Sequence, residues 1–227
     1  MKDYKHYIVF ADLFRYPEEN YKELAASCQD LINTHYPEMT SELQKFTDYI
    51  NTHNTVECQT LYTKTFDVQP MCYLDLGYVI FGEDYKRGAF LLHMQEEQRK
   101  ANNDCGTDLS DNISNILTLY NKSKNSQLLD ELAVRIMIPG LEKMIQEFEK
   151  ARVDLKIQVL KKLHKAIIQE DLNHDNVYKN LFETMLFVFK KDFEGIHFEK
   201  KLDPAIDIQH HNSFFSKESV DKLTPSI

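Results

Sequence analysis

His174 and Asp175 in the stretch LNHDN form an HD dipeptide, the pair that helical metal-dependent phosphohydrolases place on one ion. That chemistry needs further ligands, an earlier His and a later Asp, so that metal-bound water ionises near neutral pH. No spacing marks such partners out. LNHDN reads more simply as a helix start, with Asn173 or Asp175 as N-cap ahead of an apolar stripe over 177–189. Glu194 and His197 have the Glu-x-x-His spacing of carboxylate di-iron bundles, but such a site needs the motif twice plus two further Glu, and Gly195 weakens a helix there. His210 and His211 beside Asp207 lack a third placed ligand. His164 sits within an apolar stripe and reads as a packed core histidine. There is no glycine-rich phosphate loop, no GxSxG elbow and no Cys in a nucleophile context. The residues predict no catalytic site, no metal and no cofactor.

The charge balance narrows the partners. Lys and Arg number 27 against 36 Asp and Glu, a formal net charge of -9. Without a basic footprint for phosphate backbones, no nucleic-acid partner is expected, and a cationic partner suits the chain better. Cys28, Cys58, Cys72 and Cys105 are scattered with no CxxC pair, so neither a disulfide framework nor a thiolate zinc site is expected. The opening MKDYKHYIVFADLF does not read as a secretory leader. The most apolar late stretch, MLFVF, is far below the roughly 20 residues that span a bilayer. A cytoplasmic protein with no stable membrane insertion is the expectation.

The elements that would position any site are helices. Apolar residues recur at i, i+3, i+4 and i+7: Tyr7, Phe10, Ala11 and Phe14 first, then Tyr21, Leu24, Ala25 and Cys28. Pro17 is expected in the first turn of that second helix, with Glu18 and Glu19 at its positive end. Further stripes follow at Leu43, Phe46 and Ile50; at Cys58, Leu61, Tyr62 and Thr65; and at Ile113, Ile116, Leu117 and Tyr120. Leu129, Leu132, Ala133 and Ile136 lead to Leu141, Met144, Ile145 and Phe148 across Pro139 and Gly140, which are expected to break or kink the join. The last stripes run Leu160, Leu163, His164 and Ile167, then Tyr178, Leu181, Phe182, Met185 and Phe189. No strand alternation appears. The reading is all-α: a single bundle of roughly nine to eleven helices over residues 1–195 with an irregular, partly mobile tail over 196–227.

One segment is unlike the rest. TFDVQPMCYLDLGYVIFGEDYKRGAFLLHM, residues 65–94, holds one of six prolines and three of six glycines around an aromatic run. FDVQP reads as a turn, since Pro70 discourages helix at Gln69. From Tyr73 to Phe81 the run is apolar on most sides of a helix, which predicts a central position, and Gly77 permits close approach by another helix. Gly82 ends that helix in a left-handed conformation and Asp84 caps the next. Arg87 then lies in a first helical turn, where the dipole disfavours a cation unless Asp67 or Asp75 compensates it.

Taken in order, LFRYPEE, LYTKTFDVQP, YLDLGYVIFGEDYKRGAFLLHM and DLSDNISNILTLY resemble the nitrate reductase molybdenum-cofactor assembly chaperones, the delta-subunit family related to TorD-like redox-enzyme maturation chaperones. The resemblance runs from about Leu13 to Phe193. Its specific part is FDxxP, then an aromatic helix ending in FG, then DxxRG. It implies an all-helical, non-enzymatic cytoplasmic chaperone that binds the N-terminal peptide of a molybdopterin oxidoreductase catalytic subunit until its cofactor is inserted. Asp67, Pro70, Tyr73, Phe81, Gly82, Arg87 and Gly88 match signature positions. Where the family carries an acidic-x-Pro-Asp-His-Leu segment, this chain has Asp108, Leu109, Ser110, Asp111, Asn112 and Ile113, keeping both acids but not the Pro or the His.

On that reading Tyr73, Tyr78 and Phe81 are the aromatic anchors for a client helix, while Asp108 and Asp111 form an acidic rim and cap the helix that opens at Ile113. Asp67, Pro70, Gly82, Asp84, Arg87 and Gly88 serve the structure. The alternatives are an HD-type metal phosphohydrolase built on His174 and Asp175, or a fixed adaptor subunit of a redox complex.

Overall fold

The computed structural model describes residues 4–149, 152–154 and 176–198. Among them the chain is all-α. Its helices are α1 (His6–Leu13), α2 (Tyr21–His35), α3 (Thr40–Thr52), α4 (Thr55–Phe66), α5 (Leu76–Phe81), α6 (Tyr85–Lys100), α7 (Ile113–Lys122), α8 (Ser126–Leu132), α9 (Ile138–Gln146) and α10 (Tyr178–Asp192). A 3-10 turn at Pro37–Met39 leads into α3, and a π-helical turn at Ala133–Met137 joins α8 to α9. The extended backbone pairing among the described residues is one antiparallel bridge between Asp75 and Asn112. No described helix is long and apolar enough to cross a membrane.

The chain groups into two compact units. One comprises Met1–Phe14, Leu74–Gly140 and Phe189–Ile227; the other comprises Arg15–Tyr73 and Leu141–Val188. In the first, α1 packs on α7, and their aromatic stripes meet the end of α10. Tyr7 stacks on Phe189 with centroids 4.5 Å apart, and Tyr120 meets both rings edge-on. The hydroxyl of Tyr7 donates to Asp192 at 2.8 Å, and His6 Nε2 lies 2.7 Å from the same carboxylate oxygen, closing the rim of that cluster.

The second unit is built around Tyr178. Phe46, Tyr62 and Phe66 surround its ring, and its hydroxyl shares a 3.0 Å hydrogen bond with that of Tyr21, so two buried phenols satisfy each other. α2 packs on α3. Burial pushes the Cys28 thiol up to about 12, so this cysteine behaves as a small apolar filler. Asn54 and Glu57 form a reciprocal capping box at the start of α4. Asn176 accepts from the Tyr178 amide at 3.0 Å and donates to Thr65 Oγ1 at 2.8 Å, capping α10 and tying it to α4. Asn176 is the last residue of LNHDN; Asn173 and Asp175, from which a cap was expected, lie outside the described residues. Because Asn176 is two residues before the helix, its carbonyl oxygen can reach the Tyr178 amide.

Two helix boundaries differ from the periodicity. Pro17 lies outside any helix, ahead of α2, where its carbonyl accepts from Gln59 Nε2 at 2.8 Å, and the helix opens four residues later at Tyr21. Nor do Pro139 and Gly140 break the chain's path, since α9 runs through both. Proline lacks an amide and crowds the carbonyl four residues back; the π turn just upstream, in which the Ile138 amide reaches the Ala133 carbonyl, widens the helix where that strain arises. Gly140 lets Leu76 of α5 approach, since a Cβ there would sit 2.5 Å from Leu76 Cδ2. Gly140→Ala is expected to destabilise the protein by about 1–3 kcal/mol through overpacking, read as a lower midpoint in urea. An unchanged midpoint would mean that Leu76 repacks freely.

Candidate functional site

The residues singled out in the 65–94 stretch and in the DLSDN segment meet largely within one unit, where α5, α6 and the entrance to α7 join. Leu74 and Leu76 pair by backbone with Ile113 and Asp111: the Ile113 amide donates to Leu74 O at 2.9 Å and the Leu76 amide to Asp111 O at 3.0 Å. That pairing, a bridge between Asp75 and Asn112, brings two stretches distant in the chain side by side. It also shortens the helix expected from Tyr73. α5 begins only at Leu76, because residues 74 and 75 are spent on the bridge, and only Leu76 and Gly77 of its residues are buried. The expected central helix is therefore central at its start and half-exposed over Tyr78, Val79, Ile80 and Phe81.

Asp111 is the centre of the junction. It is 0% exposed and its Oδ2 accepts from the Gly77 amide at 2.9 Å. A Cβ at position 77 would stand 2.5 Å from that oxygen and 2.9 Å from Phe90 Cδ1, so the glycine is required by the close approach of a carboxylate and a ring. Asp111 Oδ1 has no hydrogen-bond partner among the described residues. Burial, with the charge of Asp75 next, pushes its carboxyl up from 3.8 to about 6, against the Gly77 hydrogen bond and the charge of Arg87. Such a group is no part of an exposed rim. The helix-capping role expected for Asp108 and Asp111 also goes elsewhere: Asn112 Oδ1 accepts from Ser114 N at 3.0 Å and is the N-cap of α7. Asp111 cannot cap because its carboxylate is turned to α5 instead. Asp108 remains exposed on the preceding loop.

Arg87 supplies the compensating cation. Its Nη2 lies 3.8 Å from Asp75 Oδ2 and its guanidinium sits over the Tyr78 ring, 5.1 Å from the centroid. Of the two acids expected to partner it, Asp75 does so, and Asp67 belongs to the other unit. The carboxyl of Asp75 is raised by burial, opposed by Arg87 and by a hydrogen bond from Asn112, and raised further by Asp108. Arg87 Nε makes no hydrogen bond among the described residues.

The remaining expectations divide. Gly82 closes α5 with φ of +64°, and Asp84 Oδ1 caps α6 by accepting from Lys86 N at 2.9 Å. Phe81 packs on Phe90 at 5.6 Å. Gly88 has nothing within 4 Å of where a Cβ would be. Tyr73, 44% exposed, lies in the other unit with Asp67, which ends α4, and with Pro70, whose turn holds Gln69 at φ +50°. The three proposed anchors are therefore not assembled within one unit.

Ser110 and Asn112, the two departures from the family segment, are both engaged. Ser110 Oγ donates to Leu91 O at 3.0 Å, and Asn112 caps α7. A network missed from sequence steadies this loop: Gln98 and Asn103 donate to the Asn115 carbonyl, and Asn115 Nδ2 donates to Leu109 O at 3.0 Å. Its signal was Asn115 within the Ile113–Tyr120 stripe, a polar residue amid apolar ones.

Glu194 and His197 are both exposed beyond the end of α10, off any helix. No group of three or more metal-binding side chains occurs among the described residues. His164, His174, Asp175, Asp207, His210 and His211 lie outside the described residues, as does the tail beyond Phe198. Comparison with family models, with curated proteins and with solved structures found no match to this chain.

Proposed function

We propose that this chain is a non-enzymatic, cytoplasmic maturation chaperone that binds the N-terminal peptide of a molybdopterin oxidoreductase catalytic subunit, resembling the nitrate reductase assembly family, and takes no cofactor of its own. The observation that supports this reading is the convergence of Gly82, Asp84, Arg87 and Asp111 in one unit, beside the half-exposed Tyr78 and Phe81 and with Asp108 exposed on the loop next to them. An apolar helix face laid against Tyr78 and Phe81, oriented by a carboxylate at its edge, is a known mode of peptide recognition. The buried Asp111 and its ion-pair neighbours hold that surface in shape and do not touch the peptide.

The test is calorimetric titration of a synthetic N-terminal peptide from such a catalytic subunit at two salt concentrations. Phe81→Ala is expected to weaken binding about tenfold or more at either salt, as the loss of an aromatic anchor does. Asp108→Asn is expected to weaken it only at low salt, because an exposed charge is screened. Absence of binding by the parent protein would overturn the reading. So would a stoichiometric metal, lost on His174→Ala, together with hydrolysis of phosphate esters.

A further inference from the structure

Beyond α10 the chain turns back onto its own unit. The helix ends at Asp192, Phe193 stacks on Tyr4 with centroids 5.7 Å apart, and Gly195 at φ +78° makes a turn in which the Ile196 amide donates to Phe193 O at 3.2 Å. Three residues later the guanidinium of Arg135 lies over the Phe198 ring, 5.5 Å from its centroid. Glu131, buried on α8, pairs with that guanidinium at 3.0 Å and so holds the cation that receives Phe198. Arg135 belongs to the π turn, and α5 packs against the same turn. Just beyond it, a Cβ on Gly140 would lie 3.8 Å from Ile80 Cδ1. Phe198 therefore leaves the chain beside α5, whose Tyr78, Val79, Ile80 and Phe81 are half-exposed.

The sequence that follows suits that face. Residues 199–227 lie outside the described residues, and the compact unit that holds α5 takes in the chain from Phe189 to Ile227. Between Lys201 and Lys217 the stretch LDPAIDIQHHNSFFS has no lysine or arginine and carries Leu202, Ile206, Ile208, Phe214 and Phe215. The two adjacent phenylalanines are its largest apolar group, and Phe81 with Phe90 at 5.6 Å offers rings to meet them. Sixteen residues separate Phe198 from Phe214, a reach of roughly 50 Å when extended, which is ample to cross α5. A tether of this length sets a local concentration on the order of millimolar, so contacts too weak to hold a separate chain hold this one. We propose that the segment 199–215 folds back on the unit it leaves and seats Phe214 and Phe215 on the face of α5 formed by Tyr78, Ile80 and Phe81. One consequence rests on the peptide-binding reading: a client helix must displace the chain's own tail to reach Tyr78 and Phe81.

Hydrogen exchange in the full chain tests the docking. In a Phe214→Ser, Phe215→Ser variant the amides of 76–82 are expected to exchange about tenfold faster than in the parent, while those of 113–122 keep their rates. Equal rates over 76–82 in the two proteins would overturn the proposal. Acceleration spread evenly over both segments would do the same, since it would make the two rings general core residues. Cross-linking identifies the occupant. In a Cys105→Ser background, where the other native cysteines are buried, mild oxidation at submicromolar concentration should link Val79→Cys to Ser216→Cys within one chain. The link should form about tenfold faster than one from Leu109→Cys, an exposed position of the same unit, to Ser216→Cys. Equal rates, or covalent dimers that appear only as concentration rises, would overturn the proposal in favour of a loose tail or a second copy. Calorimetry separates this proposal from the peptide-binding reading. The client peptide should bind the double-Ser variant about fivefold more tightly than the parent. Unchanged peptide affinity beside accelerated exchange would uphold the tail on α5 and take the client off it, and no binding to either protein would remove the chaperone reading alone.

Discussion

Arg87→Ala is expected to lower stability by about 2–3 kcal/mol at pH 7.5 and the melting temperature by about 5–10 °C. Arg87 is the cation beside two carboxylates that burial already disfavours in their charged form. Removing it leaves Asp75 half-buried and Asp111 fully buried with their mutual repulsion uncompensated, and removes the guanidinium from the Tyr78 ring. The guanidinium is 26% exposed, so the loss falls below the 3–5 kcal/mol typical of a fully buried pair. The pH dependence has a definite sign. Without Arg87 the folded-state pKa values of both acids rise further, so protonation relieves the repulsion and the deficit shrinks as pH falls toward 5. Thermal melts of parent and variant from pH 5 to 8 test this. A deficit that is constant with pH would mean that Arg87 contributes by packing alone.

Asp111→Asn is expected to do the opposite and stabilise the protein, by about 2–3 kcal/mol at pH 7.5, from a carboxyl raised from 3.8 to about 6 at roughly 1.4 kcal/mol per pH unit. Asparagine keeps the oxygen that accepts from the Gly77 amide but carries no charge to desolvate. Because the folded state holds this proton more tightly than the unfolded chain, the parent has the full benefit below pH 4 and loses it as pH rises to 6. The gain of the Asn variant over the parent should therefore be near zero at pH 4, grow through pH 5 and level off above pH 7. Urea titrations at those values measure it. A variant less stable than the parent at pH 7.5 would show that the charge itself is needed, held by more than Arg87. The two substitutions should also couple: in the Asp111→Asn background Arg87→Ala should cost less, since one of the two charges it offsets is gone.

Much of this was written locally in the chain. The 3.6-residue recurrence of Tyr7, Phe10, Ala11 and Phe14, or of Ile113, Ile116, Leu117 and Tyr120, determines helices with one buried face, because only those spacings remove apolar side chains from water together. Gly82 and Asp84 were legible for the same reason. Capping depends on a residue's own backbone freedom or on reaching an amide two or three positions away, and Asp84 does reach Lys86. That Arg87 needs an acid beside it followed from the cost of a cation in a first helical turn, but the choice of Asp75 over Asp67 came only with the packed structure. What sequence order does not carry is which residue two distant stretches hand to each other. The bridge that joins Asp75 to Asn112 cut α5 short, turned Asp111 inward onto Gly77 and passed the capping of α7 to Asn112. Spacing alone made Asp111 look like a solvated acid at a helix entrance, when its surroundings are the Gly77 amide, a neighbouring carboxylate and the nearby Arg87. The path through Pro139 was decided in the same way. A missing amide ends an isolated helix, but a π turn upstream and the need of Leu76 to lie against Gly140 made continuation the lower-energy course, and only the packed structure contains both partners.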